Sequence, residues 1–287
     1  MNSKRTSRWV LCAALLPAAG LFFPAAAAAQ QGSTSGPITN TLTQMDETQA
    51  DNQIAEAYLR QTLGDPREEA AYQAFRKAAP QDPDKKIKLG NAFLAKYPSD
   101  RYSESVYEDL TEAYYDKKDL ASFYTYSDKG LALFPDDVHL LALSGWVIPR
   151  IFTSTDPDGD KKLDKAESQS RHALDVLGKM QKPSGVSDQQ FTAYKNQEAA
   201  EAHSGLGLTY FRQEKYDVSA KELQTAVAGE AKPDQTDLFV LGADYENLGQ
   251  HKEAADAFSR CAQITGAMQD RCKQLADSVQ KEASGAK

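Results

Sequence analysis

The chain has 287 residues, 26% of them charged, and a formal net charge of −8 at pH 7. This excess of carboxylates argues against nucleic acid and anionic membrane surfaces as partners, because like charges repel. Net charge does not indicate the fold, which has to be inferred from the order of the residues.

The N-terminal residues have the layout of a secretory signal peptide. A basic stretch with three Lys and Arg residues precedes an apolar run, and small residues follow before the sequence turns polar. We expect residues 1–29 to be the signal peptide, with cleavage after Ala29, which would leave a soluble exported chain of net charge −11. A retained membrane anchor is the alternative, although prolines and a glycine interrupt the apolar run. Residues 30–44 are rich in Gly, Ser, Thr and Asn and predict a flexible lead-in.

From residue 45 onward the sequence predicts helices that repeat. Ala, Leu, Glu, Lys and Gln dominate, while Pro and Gly divide the chain into segments of about a dozen residues. Two stretches 35 residues apart share a Leu-Gly pair followed three residues later by Tyr. The members are Leu206, Gly207 and Tyr210 in residues 202–229, and Leu241, Gly242 and Tyr245 in residues 236–263.

This layout resembles the tetratricopeptide repeat (TPR) family. The stretch "FLAKYPSDRY", Phe93–Tyr102, is similar to a turn of exported bacterial members, which include outer-membrane-assembly and cell-division-coordinator proteins. The resemblance implies an all-α fold: a right-handed superhelical solenoid of antiparallel helix pairs over residues 45–283, closed by a C-terminal capping helix. The expected repeats cover about 104–137, 138–182 with an insertion at 150–162, 200–234 and 235–268, and the cap covers 267–283.

In this family one face of each pair's first helix lines a concave groove, and the resemblance implies which residues face it here. They are Tyr115, Trp146, Arg150, Leu208, Phe211, Arg212 and Phe239. Large apolar side chains edged by Arg suit the recognition of a protein or peptide segment. The alternative is that the solenoid folds its own tail or extra helices into the groove, which would make these residues core.

The stretch "DPDGDKKLDKAE" resembles a calcium-binding loop. Its candidate ligands are Asp156, Asp158, Asp160, Asp164 and Glu167. Against calcium, Lys161 stands where such a loop requires a glycine for its sharp turn. The alternative is a turn followed by a helix that begins at Asp164, with Asp164 and Glu167 spaced as a capping box.

After signal removal two cysteines remain, Cys261 and Cys272. Both are predicted to point inward on adjacent helices, and in an exported protein this arrangement favours a disulfide that fastens the cap. Two buried thiols are the alternative.

No catalytic motif accompanies the four histidines, His139, His172, His203 and His251. The sequence therefore predicts a non-catalytic exported scaffold or adaptor of the periplasm or cell envelope, without a cofactor. Its partner is expected to be a protein or peptide rather than nucleic acid. A calcium-responsive envelope protein, and an enzyme with a carboxylate site assembled across helices, remain as alternatives.

Overall fold

The computed structural model of the protein describes residues 66–78, 82–156, 158–229 and 232–283. These residues form eleven α-helices and no strand. In chain order they are α1 (Pro66–Arg76), α2 (Pro83–Lys96), α3 (Ser103–Asp116), α4 (Leu120–Leu133), α5 (Val138–Ile151), α6 (Gly159–Lys179), α7 (Asp188–Arg212), α8 (Tyr216–Gly229), α9 (Gln235–Asn247), α10 (His251–Gln263) and α11 (Gln269–Ala283). Within the described part of the chain, no helix combines the length and the apolar character needed to cross a bilayer. The expected signal peptide and the lead-in lie outside the described residues.

Consecutive helices pack against one another along the chain, from α1 with α2 to α10 with α11. The pairs are α1–α2, α3–α4, α5–α6, α7–α8 and α9–α10, and α11 closes the series. The first helix of a pair also contacts the first helix of the next pair, as α5 does with α7 and α7 does with α9. The architecture is an all-α solenoid, which confirms the fold class expected from the repeating sequence.

The repeated Leu-Gly pairs mark the places where two helices of a pair approach most closely. A Cβ atom added at Gly242 would lie 2.6 Å from Phe258 Cε1, and one added at Gly207 would lie 2.5 Å from Leu223 Cγ. Real Cβ atoms do not approach carbon atoms so closely, so these positions require glycine. The large side chains of the second helices fill the space that the glycines leave, since Phe258 and Leu223 are both fully buried.

Several helices begin at an aspartate or serine whose side chain accepts a backbone N–H hydrogen bond. Asp137 accepts from Leu140 at the start of α5, and Asp234 accepts from Thr236 at the start of α9. A capping box, formed by Ser187 with Gln190, begins α7. As a result α7 has 25 residues and starts well before residue 200, where the third repeat was expected to begin.

The segment between α5 and α6 is shorter than the expected insertion at 150–162. Helix α5 continues to Ile151 with Pro149 inside it, and α6 already begins at Gly159. The expected helix start at Asp164 is therefore wrong. The turn closes earlier because the Gly159 N–H donates to the carbonyl oxygen of Asp156 at 3.0 Å, which leaves Asp164 inside the second turn of the helix.

The C-terminal helix α11 covers the apolar end of the solenoid. Cys272, Ala276 and Val279 lie on its buried side and join a cluster with residues of α8, α9 and α10. Cys261 of α10 and Cys272 form a disulfide, with their Cα atoms 5.7 Å apart. The bond fastens α11 to the last helix pair.

Candidate functional site

The first helices of four successive pairs present one continuous set of side chains, which we call the first-helix surface. It is defined by side-chain hydrogen bonds between α3, α5, α7 and α9. His139 of α5 contacts Glu112 of α3 and Glu198 of α7, and Arg150 of α5 contacts Asp237 of α9. Side chains from residues far apart in sequence therefore face one another along this surface.

His139 bridges two carboxylates through both of its ring nitrogens. Its Nε2 lies 2.9 Å from Glu112 Oε1, and its Nδ1 lies 3.1 Å from Glu198 Oε1. Burial lowers the pKa of His139, but the charge of Glu198 and the hydrogen bonds to both glutamates outweigh it, so the pKa is raised well above its ordinary value. Burial raises the pKa of Glu112, and the hydrogen bond and charge of His139 reverse this and leave the pKa lowered. These two side chains therefore favour the protonated form of the His139 ring.

Further carboxyl groups lie near this bridge. Burial, with the charge of Glu198, raises the pKa of Glu201 to about 8. Burial also raises the pKa of Asp137 to about 7, and it raises the pKa of Glu108 well above its ordinary value, where Asp137 adds to the effect. In these three groups the neutral form is favoured because the charged form loses water and faces like charges.

Arg150 lies at the centre of the first-helix surface and connects α5 with α7 and α9. Its Nη2 donates to Asp237 Oδ1 at 2.8 Å and to Ser204 Oγ at 2.9 Å, while its Nη1 donates to the Trp146 carbonyl at 3.1 Å. The guanidinium also lies over the Trp146 ring, 3.8 Å from its centroid. Burial raises the pKa of Asp237 to about 6, and the Arg150 charge offsets part of that effect.

The residues expected to line a groove fall into two groups. Tyr115, Trp146 and Arg150 lie on the first-helix surface, where the Tyr115 and Trp146 rings meet edge to face at 5.9 Å. Arg212 lies beside them, since its Nε donates to the Pro149 carbonyl at 3.2 Å.

The apolar members of that set pack into the C-terminal core. Leu208 is buried, while Phe211 and Phe239 are half-buried against the same cluster. The Phe211 ring meets Tyr216 of α8, and the Phe239 ring meets Phe258 of α10, both at 5.9 Å. Both phenylalanines remain partly exposed.

The structure does not bring the five candidate calcium ligands together. Asp156 pairs with Lys162, and Asp158 pairs with Lys161. Glu167 lies further along α6 and bonds to Arg171 and the Tyr210 hydroxyl. Asp160 and Asp164 lie within α6 as well, because that helix already starts at Gly159. The stretch is therefore the start of a helix with its own ion pairs.

One other group of ligand-type side chains lies in the described residues. Glu246, His251 and Glu282 have ligand atoms within 4.8 Å of one another, near the C-terminal end. His251 Nδ1 is hydrogen bonded to Glu246 Oε1 at 2.9 Å, which raises the pKa of His251. The remaining histidines also pair with carboxylates, His172 with Asp136 and His203 with Glu222.

The acidic part of the first-helix surface was not predicted from the sequence. Glu104, Glu108 and Glu112 recur every four residues and so share one helix face, a signal that was available in the sequence. The bridge through His139 was not available, because its partners Glu112 and Glu198 lie 27 and 59 residues away.

No protein-family model and no curated protein matches the sequence. Solved structures with similar helical arrangements include a thermophilic TPR protein of Thermus thermophilus, with 17% identity, a TM-score of 0.48, and coverage of 74% of this chain and 98% of that one. PilW, a widely conserved type IV pilus biogenesis factor, has 13% identity, a TM-score of 0.49, and coverage of 78% and 94%. The RS-1 ArsTM double mutant of MamA has 18% identity, a TM-score of 0.41, and coverage of 68% and 90%.

The fold is a TPR-like solenoid. This statement rests on the stacked helix pairs and on the glycine-mediated contacts within them. The TPR-like solenoid then places α3, α5, α7 and α9 side by side, which is why the first-helix surface is continuous.

Proposed function

We propose that the protein is a non-catalytic scaffold that is exported to the cell envelope and binds a segment of another protein along the first-helix surface. The observation that carries the proposal is the aromatic and cationic centre of that surface. Trp146 is clamped between the Arg150 guanidinium and the Tyr115 ring, yet it retains an exposed edge. Preorganised aromatic and Arg side chains of this kind are typical anchors of protein recognition.

The side chains proposed to contact the partner follow the surface toward the C-terminus. They are Tyr115, Trp146, Arg150, Phe211, Arg212 and Phe239, with Leu208 supporting them from the core. The partner would lie across several helix pairs, which is how a solenoid gathers a large interface from small repeats.

A selection experiment tests this function. Random peptides displayed on phage are selected on the full exported chain, and the affinity of each selected peptide is then measured on two variants. Trp146→Ala removes the central anchor, and Leu133→Ala removes a side chain that is 45% exposed on the second helix α4. We expect Trp146→Ala to weaken binding at least tenfold and Leu133→Ala to change it less than twofold. Selected peptides that bind both variants equally would contradict the proposal, as would a selection that yields none.

The envelope location rests on the layout of residues 1–29. Expression in a bacterial host with separation of the periplasmic fraction tests it. The recovered chain should begin at Gln30 by mass measurement. Recovery of uncleaved protein from the cytoplasmic fraction would contradict the export proposal without affecting the binding surface.

A second candidate function is acid–base catalysis, because raised carboxylate pKa values such as those of Glu201 and Asp137 are typical of active sites. The cavity of about 350 Å³ between α4, α5 and the start of α6 is lined by other side chains, including Tyr124 and Phe152. Binding is therefore the better supported function. A turnover that Glu201→Gln abolishes, in a variant that still folds, would reverse this preference.

A further inference from the structure

The N-terminal half of the first-helix surface is rich in carboxyl groups. Glu104, Glu108, Glu112 and Asp116 run along one face of α3 at four-residue intervals. Asp137 at the start of α5 lies near Glu104 and Glu108, and Glu198 and Glu201 of α7 lie near Glu112 and His139. These groups affect one another's pKa values. The charges of Asp137 and His139 act on the pKa of Glu108, and those of Glu198, His139 and Glu112 act on the pKa of Glu201. The carboxylates therefore form one field rather than separate surface charges.

Several oxygens in this field have no hydrogen-bond donor. Glu198 is completely buried, and its Oε1 accepts from His139 while its Oε2 is unpaired. Glu201 Oε2 and Asp137 Oδ2 are also buried without a partner. Buried carboxyl oxygens are normally satisfied by a donor, so these three oxygens are acceptors that the described residues leave unused.

The cations already near this field are occupied. His139 lies between Glu112 and Glu198, and Arg150 bonds to Asp237 and Ser204. Lys86, whose charge reaches Glu112, is paired with Asp109 at 2.9 Å. Within the described residues, these three side chains do not neutralise the carboxylates of the field.

We propose that the acidic half of the first-helix surface binds a lysine- or arginine-rich segment of the partner protein. A cationic side chain of that segment lies beside Glu201, whose side chain is partly exposed, and others follow the Glu104–Glu108 face of α3. The proposal rests on the proposed function and specifies the chemistry of the partner. Arg and Lys donors match carboxylate acceptors, and such complementarity sets both specificity and association rate.

The occupant is another protein rather than this chain's own N-terminal segment. Between residues 30 and 65 the chain carries the acidic residues Asp46, Glu47, Asp51, Glu56 and Asp65. Arg60 is the basic residue of this stretch. A segment with this charge would be repelled by the acidic field, so charge complementarity requires a basic partner.

Binding of a cation should also change the protonation of Glu201. The groups facing Glu201 are Glu198 on its own helix, His139 and Arg150 on α5, and Glu112 on α3. Near neutral pH Glu201 is largely protonated, since its pKa is about 8. A cation beside it favours the charged form, so binding releases a proton and becomes tighter as the pH rises toward 8.

Calorimetry with defined peptides tests the proposal. The probes are a synthetic peptide of alternating lysine and alanine and its counterparts with glutamine or glutamate in place of lysine. Each is titrated into the full exported chain at pH 7 in two buffers with different ionisation enthalpies, at low and at moderate salt. We expect the lysine peptide alone to bind, with proton release and with an affinity that falls at higher salt.

Two matched variants test whether the lysine peptide binds at the acidic field. Glu201→Gln should weaken binding of the lysine peptide about tenfold at pH 8.5 and reduce the proton release, while its thermal unfolding shows that it remains folded. Glu253→Gln on the exposed side of α10 removes the same charge and should change the affinity less than twofold. Asp116→Asn, at the end of the α3 row, gives a second measurement on the acidic field and should also weaken binding.

The outcomes distinguish a failure of the basic-partner proposal from a failure of the proposed function. Equal binding of all three peptides, or no binding of the lysine peptide, would overturn the basic partner. Equal loss in the Glu201→Gln and Glu253→Gln variants would overturn it as well, because it would show an effect of net charge alone. In each case peptides selected on phage that depend on Trp146 would still support the proposed function.

Discussion

Replacing Glu201 with glutamine should stabilise the folded protein at neutral pH. In the folded chain burial and the charge of Glu198 raise the pKa of Glu201 from 4.5 to about 8. In the unfolded chain the same carboxyl has its ordinary pKa and is ionised at pH 7. Folding at pH 7 must therefore protonate Glu201 or bury its charge, and both cost free energy. Glutamine has nearly the same shape and requires neither.

The size of the gain follows from the two pKa values. At pH 7 the relevant interval runs from 4.5 to 7, and at about 1.4 kcal/mol per pH unit this gives an upper bound of about 3.5 kcal/mol. Glu201 is only partly shielded from solvent, although its Oε2 is buried, so screening reduces the expected gain to about 1–2 kcal/mol. Because the folded pKa is raised, the cost is absent below pH 4.5, grows through the interval, and levels off above pH 8.

Urea unfolding followed by circular dichroism measures this effect at pH 7.5 and at pH 4. We expect Glu201→Gln to raise the free energy of unfolding at pH 7.5 and to leave it nearly unchanged at pH 4. Glu253→Gln, at an exposed site on α10, is the control and should stay within about 0.5 kcal/mol of wild type at both values. A Glu201→Gln protein that is no more stable at pH 7.5, or equally stabilised at pH 4, would refute the assignment of a buried, repelled carboxylate.

Three further outcomes are expected from the structure. Gly242→Ala should destabilise the protein by about 1–3 kcal/mol, because its Cβ would lie 2.6 Å from an aromatic carbon of the next helix. Gly178→Ala on α6 is the control, because a Cβ added there would meet nothing within 4 Å, and it should be neutral or stabilise by up to about 1 kcal/mol. Thermal melts compare the two variants, and a similar loss of stability in both would be inconsistent with tight packing at Gly242. Reduction of Cys261–Cys272 should lower the free energy of unfolding by about 3 kcal/mol, measured by denaturation with and without reductant, and no change would mean that the bond does not restrain the cap. Calcium at millimolar concentration should produce neither heat in calorimetry nor a shift in melting temperature, whereas saturable heat would show that Asp156–Glu167 rearranges into a site.

The repeat architecture could be predicted from the sequence because its signal is local. Leu241-Gly242 and Leu206-Gly207 mark the contacts within helix pairs, and those contacts join residues about 16 positions apart, such as Gly242 with Phe258. Helix propensity and spacing are sufficient to find them. The cysteine pair belongs to the same class, since Cys261 and Cys272 lie 11 residues apart on adjacent helices.

Features that depend on a few hydrogen bonds or on stacking between pairs could not be predicted in this way. The start of α6 at Gly159 rather than Asp164 depends on one turn hydrogen bond from Gly159 to Asp156. The position of His139 between Glu112 and Glu198 depends on how far each pair is rotated relative to the next, and this rotation leaves no mark in the local sequence. For that reason the bridge through His139 was missed, although the four-residue spacing of Glu104, Glu108 and Glu112 was visible in the sequence.

The Arg150–Asp237 contact has a consequence for how the protein unfolds. In an ideal solenoid each repeat senses only its immediate neighbours, so distant repeats unfold nearly independently. Arg150 belongs to the α5–α6 pair and Asp237 to the α9–α10 pair, with α7–α8 between them. Melting of the last pair therefore removes the charge partner of a residue two repeats away, so this contact couples the stability of the central repeats to that of the C-terminal end.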